Sequence, residues 1–357
     1  MTGNEHESRE EQRPVSLGEA TNTITDPQPD TEKMDGGSGS HNSGGTPIGD
    51  KSDIRYPPVM VRSIIMVGLL LSMFLIALDL SIIATAVPTI TAEFQSTSDV
   101  GWYGAAYFMT LSTFQSLWGK AYKFFSLRLV FLVSLFVFMV GSLVCALAPN
   151  NIAFICGRAV QGVGGAGLSG GCYIIIAFIS PPEHIAALFG ILGSVFSISS
   201  VVGPLLGGAF SQSVTWRWCF YINLPLGGVA AACITFFFRT PDYAQELAST
   251  ARSALDSRAI AKAFDPLGII LSLSGLICFV MALEWGGISH AWNSSTIIGL
   301  LVGWILLTVA FYLVEWMQKD QALLVLRILA RRDIAVVSAF IFWFVVPLPK
   351  RLLPSPS

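Results

Sequence analysis

Charged side chains are scarce in this sequence. Asp, Glu, Lys and Arg make up 12% of the 357 residues, whereas soluble domains carry roughly 25%. Hydrophobic residues make up 53% of the chain, and the mean hydropathy is +0.64. This composition excludes an ordinary water-soluble domain and indicates that lipid surrounds most of the chain. The formal net charge is only -2 and no dense Lys/Arg cluster occurs, so nucleic-acid binding is not expected.

Metal-binding and catalytic patterns are also missing from the sequence. The six cysteines fall in hydrophobic runs without a CxxC pair, which is typical of small packing residues rather than of a disulfide framework. The four histidines lie outside the apolar runs, which disfavours a membrane-embedded metalloenzyme. The apolar runs contain neither paired acids nor a nucleophile with its base. We therefore predict a protein that is not an enzyme and that uses no cofactor and no metal.

The first 57 residues differ from the rest of the chain. They are acidic on balance, nearly free of aromatics, and rich in Ser, Gly, Thr, Asp and Glu. Such a segment buries too little apolar surface to fold, so residues 1–57 are expected to form a disordered cytoplasmic tail. The first apolar run starts too late and is too long to be a cleaved signal peptide.

Long apolar runs dominate the remainder. A helix needs ~20 apolar residues to cross ~30 Å of hydrocarbon, and eight runs are adequate: 64–87, 100–118, 129–148, 152–178, 186–210, 220–238, 266–284 and 296–314. A ninth run begins near Ile334 and stops after about 13 residues, which is too short to cross. Since only helices satisfy the backbone of an open chain in lipid, we predict an all-α polytopic membrane protein.

The distribution of Lys and Arg between the loops predicts the orientation. If the tail is cytoplasmic, the outer loops carry Arg217 alone beside the acids Glu93 and Asp99. This asymmetry follows the positive-inside rule through all eight runs. We therefore expect a multi-pass protein of the plasma membrane whose N-terminus is cytoplasmic. The inner bases are Lys120, Lys123, Arg128, Arg239, Arg252, Arg258, Lys262, Lys319, Arg327, Arg331 and Arg332.

Two charged residues lie well inside the apolar runs. At 1.5 Å per residue, Arg158 lies ~10 Å below the outer end of the fourth run and Asp79 lies ~13 Å deep in the first. Opposite charges at one level in lipid are expected to pair, and such residues mark functional sites. A buried acid can also take up a proton when an arginine leaves it. We predict that Asp79 and Arg158 couple proton movement. A structural ion pair and snorkelling of Arg158 to the interface are the alternatives.

Uncharged polar side chains occur on the second and fourth runs. They are predicted to line a cavity for an amphipathic substrate, with hydrogen bonding between helices as an equal alternative: Tyr103, Tyr107, Thr110, Gln115 and Gln161. Two acids at the ends of later runs, Glu284 and Glu315, are interpreted as interfacial.

The fifth run contains many helix breakers in the stretch SISSVVGPLLGGAF, 197–210. A proline costs a helix interior about 3 kcal/mol, and each glycine costs about 1 kcal/mol relative to alanine. On a 3.6-residue period the small residues form one stripe: Gly190, Gly193, Ser194, Ser197, Ser200, Pro204 and Gly207 or Gly208. Small residues let two helices approach closely, so Gly203, Pro204 and Gly207 are expected to face another helix. We predict a hinge or seam here, and tight packing alone is the alternative.

Together these motifs resemble the major facilitator superfamily, and within it the 14-span drug:proton antiporters of the fungal toxin and multidrug exporter type. The similar stretches are LDLSIIATAVPTI (78–90), RAVQGVGGAG (158–167), GPLLGG (203–208) and WRWCFYINLPLG (216–227). The resemblance implies proton-coupled efflux of amphipathic drugs, toxins or secondary metabolites. The expected partners are the lipid bilayer, a small amphipathic substrate and protons. It implies proton coupling by Asp79 and Arg158. It also implies a conformational seam at Gly193, Gly203, Pro204, Gly207 and Gly208.

The resemblance also implies a division of the chain. The expected segments are a cytoplasmic tail (1–57), a six-helix transport bundle (58–239), a cytoplasmic linker (240–264), an extra transmembrane hairpin (265–316), and a cytoplasmic loop with a truncated ninth span (317–357).

The sequence departs from the family pattern in two places. The loop after the second run reads GKAYKFFSLR (119–128), with Lys123 where the family has an acid, so the usual charge relay of the inner gate is not expected. The second six-helix bundle of the family is missing, which we interpret as a C-terminally truncated gene model. The alternative is a short isoform that does not transport and that binds or regulates a full-length transporter.

Overall fold

The computed structural model describes residues 57–96, 99–253, 264–287 and 289–318, together with residues 332, 334 and 336. These residues form helices and contain no β-strand, which confirms the predicted all-α class. The helices are α1 (Val59–Phe94), α2 (Val100–Phe124), α3 (Leu127–Leu147), α4 (Asn151–Ile179), α5 (Pro182–Ser213), α6 (Trp218–Tyr221), α7 (Asn223–Phe237), α8 (Asp242–Ser253), α9 (Pro266–Trp285) and α10 (Ser295–Gln318).

Helices occupy all eight predicted runs. In the described part of the chain, seven helices are long and apolar enough to cross a membrane, with α6 and α7 forming one span over Trp218–Phe237. The remaining run is α2, which has 25 residues but carries more Ser, Thr, Tyr and Gln than the others. Because α2 packs along α4 and α9, a smaller part of its surface has to be apolar. Residues 1–56 of the predicted tail, and most of the ninth run, lie outside the described residues.

Glycines bring α4 into backbone contact with α3. A Cβ atom at Gly164 would collide with the backbone of Phe138, and one at Gly141 would collide with the backbone of Gln161. Lipid provides no hydrophobic drive for helices to associate, so their attraction depends on such close packing. The glycine-rich sequence of the fourth run therefore positions α4 at the centre, where it contacts α1, α2, α3 and α5.

Aromatic rings fill the space between the C-terminal part of α1 and the loop before α6. The ring of Phe154 lies 5.0 Å from Tyr103, 5.7 Å from Trp216 and 5.4 Å from Phe220, each time edge to face. This geometry is the favourable one for aromatic pairs. The cluster closes the bundle at the end that the sequence assigns to the outer side.

Arg217, the one base of the predicted outer loops, is held by neighbours on three sides. It pairs with Glu93 at 2.7 Å and donates to the carbonyl oxygen of Ala148 at 3.0 Å. Its guanidinium also lies 4.6 Å from the ring of Trp216, whose Nε1 donates to Glu93 at 2.6 Å. Arg217 thus ties the loop before α6 to the ends of α1 and α3.

The fifth helix contacts α1 through a narrow face. Cβ atoms at Gly203 and Gly207 would collide with Ser81 and Thr85 of α1, respectively. The Oγ of Ser81 also donates to the carbonyl oxygen of Ser199 at 2.8 Å. These two glycines face another helix, as the sequence predicts.

The expectation that Pro204 faces another helix together with Gly203 and Gly207 is wrong. Pro204 and Gly193 are exposed, and a Cβ atom at Gly208 would have no neighbour within 4 Å. The physical reason is the helical period, because successive side chains point about 100° apart around the helix axis. Gly203 and Gly207 therefore share one face, whereas Gly193, Pro204 and Gly208 share the next. The helix continues through Pro204 without a break.

The hairpin of α9 and α10 attaches to α2. Near one end, Oε1 of Glu284 accepts a hydrogen bond of 3.2 Å from the backbone nitrogen of Gly101. Gly101 is the second residue of α2, and the amides of a helix N-terminus attract a carboxylate. A Cβ at Gly101 would collide with that carboxylate. Glycine at this position therefore allows the acid to reach the helix end.

Acids also hold the opposite end of the hairpin. Asp265 and Glu315 are each only 1% exposed, and both interact electrostatically with Lys120 of α2. Asp265 accepts from the backbone nitrogen of Gly268 at 3.0 Å and from Nε2 of Gln318 at 2.7 Å. Glu315 is therefore covered by protein near the end of α10, and its level relative to the membrane interface stays a prediction. The partner helix covers this carboxylate, a contact that sequence position alone does not reveal.

The α1–α5 contact predicts opposite outcomes for neighbouring glycines. Gly207→Leu should lower the free energy of unfolding by about 1–3 kcal/mol, because the added side chain is forced against Ile82 and Thr85. Gly208→Leu is the matched control and should change the free energy of unfolding by no more than about 0.5 kcal/mol, because a Cβ atom at this position meets no atom within 4 Å. Unfolding of the purified variants in detergent measures both. Equal loss in the two variants would contradict this packing.

Candidate proton-coupling and substrate site

A closed network of three polar side chains lies between α1 and α4. Nη1 of Arg158 is 2.5 Å from Oδ2 of Asp79 and donates to Oε1 of Gln161 at 2.8 Å. Nε2 of Gln161 donates in turn to Oδ1 of Asp79 at 2.7 Å. All three residues are fully buried. The pairing of Asp79 with Arg158 that their common depth predicts is present, and Gln161 completes it.

The local sequence explains why these groups meet. Arg158 and Gln161 are three residues apart on α4, so they lie on one face of the helix. A Cβ at Gly162 would collide with Tyr107 and Thr110, so this glycine lets α2 approach the same face. Nε of Arg158 then reaches the backbone oxygen of Tyr103 on α2 at 3.0 Å. The guanidinium therefore connects α1, α2 and α4.

The surroundings of the guanidinium are aromatic and low in polarity. The ring of Tyr107 lies 4.5 Å from the guanidinium carbon of Arg158, which is close enough for a cation–π interaction. Among the described residues, Nη2 of Arg158 and the hydroxyl of Tyr107 have no hydrogen-bond partner. Buried donors usually have partners. These two donors are therefore available to hydrogen-bond to an acceptor group that enters the site.

The residues predicted to line a substrate cavity separate into two groups. Tyr103, Tyr107, Thr110 and Gln161 are buried near the ion pair, so this cluster is closed to solvent and lipid in the present conformation. Gln115 is exposed and does not join them. The hydroxyl of Thr110 donates to carbonyl oxygens of its own helix.

Two aromatic residues that were not predicted from the sequence join α2 to α4. Nε1 of Trp118 donates to the carbonyl oxygen of Val163 at 2.8 Å, and the hydroxyl of Tyr122 donates to that of Gly167 at 3.0 Å. A signal existed, because Trp118 and Tyr122 are four residues apart and therefore share one helix face. When Trp and Tyr side chains are buried, their N–H and O–H groups usually have a hydrogen-bond partner.

The part of the chain that the structure describes contains no cluster of three or more His, Cys, Asp or Glu side chains suited to a metal ion. The contacts that the structure shows at the site are charge pairing and hydrogen bonding among Asp79, Arg158 and Gln161.

The closed network predicts strong coupling between Asp79 and Arg158. Arg158→Gln or Asp79→Asn alone should each cost about 3–5 kcal/mol of unfolding free energy, because one buried charge loses its counterion. The double variant should lose much less than the sum of the two. Equilibrium unfolding in mixed micelles measures the cycle, and Glu93→Gln at the partly exposed outer pair should cost only about 0–1 kcal/mol. Additive losses would contradict direct coupling.

Comparisons with known proteins identify the family. The pattern of the Major Facilitator Superfamily matches residues 69–349. The chain is 45% identical over 291 residues to the MFS-type transporter thnB of Trichoderma harzianum, covering 82% of this chain and 49% of that protein. It is 44% identical over 280 residues to the efflux pump aflT of Aspergillus parasiticus, covering 78% and 53%. It is 41% identical over 288 residues to the rubrofusarin-specific efflux pump aurT of Gibberella zeae, covering 81% and 52%.

The chain spans about half the length of the curated relatives that it matches. The match nevertheless covers more than three quarters of the chain, including every residue of the Asp79–Arg158–Gln161 network. The chain belongs to the Major Facilitator Superfamily.

Proposed function

We propose that the chain acts in the proton-coupled export of amphipathic small molecules, in the manner of the 14-span drug:proton antiporters. Names of similar proteins support the direction of transport, since two of them are efflux pumps and one of these is specific for rubrofusarin. We further propose a secondary metabolite as the class of substrate and the plasma membrane as the location, with the N-terminus in the cytoplasm.

The fully buried Asp79–Arg158–Gln161 network is the single observation that carries this proposal. While Arg158 and Gln161 contact Asp79, two charge-assisted hydrogen bonds favour the ionised carboxylate. If the arginine withdraws, the carboxylate is left in a low-dielectric interior, where burial favours the protonated form. Asp79 would then bind a proton on one side of the membrane and release it on the other as the arginine returns.

A shared dependence on Arg158 would couple this proton to the substrate. An acceptor group of an entering molecule would take the free Nη2 of Arg158 and the hydroxyl of Tyr107, while its apolar part would pack on Tyr103 and Tyr107. Binding would hold the guanidinium in place, where its Nη1 contacts Asp79 and favours the ionised carboxylate. Protonation of Asp79 would instead release the guanidinium and weaken the substrate site, so that proton and substrate exclude each other, as exchange in opposite directions requires.

The fifth helix would form the moving seam. Gly203 and Gly207 keep α5 against α1, whereas Gly193, Pro204 and Gly208 present a second face with little side-chain bulk. Two faces of small residues would let α5 slide against α1 while a second surface packs on its other side. The role of these residues as a hinge remains a prediction.

Transport by the chain in vesicles tests the proposal. In proteoliposomes with an imposed proton gradient, the parent chain should accumulate a fluorescent amphipathic dye, and Asp79→Asn should abolish gradient-driven accumulation, since asparagine does not carry the proton. Arg158→Lys should weaken accumulation, because one ammonium cannot replace the planar fork that reaches Asp79, Gln161 and the Tyr103 backbone together.

The matched control is Glu93→Gln, which removes an acid that is paired with an arginine but partly exposed. This variant should accumulate dye as the parent does. Uphill accumulation by Asp79→Asn at the parental rate would contradict the proposed coupling. Absence of accumulation by the parent chain would contradict transport by this chain itself.

A further inference from the structure

A cleft without polar lining lies between the C-terminal part of α2 and the N-terminal part of α3. It has a volume of about 350 Å³, which is within the size range of roughly 300–1,000 Å³ found for ligand sites. Residues of α2 and α3 form it together with Phe125, which follows α2, and Phe264, which lies two residues before α9. Its walls include Leu117, Trp118, Ala121, Phe125, Val133 and Phe264. Because it offers no hydrogen-bonding surface, its occupant must be a hydrocarbon or an aromatic group.

A cation lies at the end of this cleft. Phe264 stacks on Phe125 with ring centroids 6.5 Å apart and lies 6.1 Å from Phe124. The ammonium of Lys123 lies 5.8 Å from the centre of the Phe124 ring, and Lys123 is exposed in the last turn of α2. The ring of Phe124 therefore lies between Phe264 of the cleft and the positive charge of Lys123, at the level where the helix ends.

We propose that this cleft binds an anionic phospholipid, with one acyl chain between α2 and α3 and with the phosphate and headgroup at Lys123. The positive-inside pattern assigns this end to the cytoplasmic leaflet, where anionic lipids attract basic residues. A lysine can follow a headgroup while its methylenes stay on the apolar wall. The site does not depend on the proposed transport activity.

Other charged groups around the cleft are already engaged. Asp265 follows Phe264 in sequence but is buried and bonded to Gly268 and Gln318, and Lys120 interacts with Asp265 and Glu315. Arg128 points to the opposite side, where it donates to the carbonyl oxygen of Thr235. Lys123 is therefore the exposed cation that a headgroup at this rim would meet, whereas the carboxylates of Asp265 and Glu315 are buried.

Native mass spectrometry of the purified chain tests the proposal. The chain is incubated in detergent with equal amounts of phosphatidylserine and phosphatidylcholine that carry identical acyl chains, and the retained lipid is counted. The parent should retain about fivefold more phosphatidylserine, the ratio expected for one lysine at a membrane surface. Lys123→Gln should reduce this ratio to near one, while Arg62→Gln on α1 should leave it unchanged.

A second pair of variants tests the acyl-chain part of the site. Val133→Trp fills the cleft and should reduce retention of both lipids severalfold, whereas Val144→Trp lies on the same helix outside the cleft and should have no effect. The two valines are similarly exposed, at 44% and 38%, so the control matches the added bulk. Equal retention of the two lipids by the parent, or equal retention by the two tryptophan variants, would overturn the proposal.

Discussion

The contact between Asp79 and Arg158 is the interaction on which the arrangement of α1, α2 and α4 depends. The guanidinium and the carboxylate are both fully buried, so their charges must be balanced within the protein. Gln161 and the backbone of Tyr103 provide the additional hydrogen bonds. Because one side chain contacts three helices, movement of any of these helices changes how well the charges are satisfied. The electrostatic energy of the ion pair is therefore coupled to the relative positions of the three helices.

Glycine makes that contact possible. A side chain at Gly162 would collide with Tyr107 and Thr110, and that bulk would keep α2 away from the helix face that carries Arg158. The glycines of α4 remove that bulk toward α3 and α2, and Gly203 and Gly207 remove it between α5 and α1. The cost in helix propensity, about 1 kcal/mol per glycine, is offset by the close packing that replaces the missing hydrophobic drive in lipid.

Polar groups at the helix ends fix the elements that lie outside the bundle. Glu284 contacts the first turn of α2. Asp265 and Glu315 interact electrostatically with Lys120, which lies near the C-terminal end of the same helix. The hairpin of α9 and α10 is thus bound to one helix at two widely separated points. Lys120 belongs to the stretch 119–128, in which the family pattern has an acid where this chain has Lys123. In this chain, the acids near Lys120 come from the hairpin. Phe264, just before that hairpin, forms one wall of the apolar cleft.

The sequence by itself determined the elements and their chemistry: the all-α class, the position of each span, and the two intramembrane charges that pair. Those properties follow from local composition, because length and polarity alone decide whether a helix fits lipid. Only the tertiary structure decided which faces are covered. It brought Gln161 into the ion pair, left Gln115 and Pro204 exposed, and buried Glu315 beside Gly268 of α9. The direction of a helix face changes by about 100° per residue, and its neighbour comes from a distant part of the chain, so neither can be read from a local pattern.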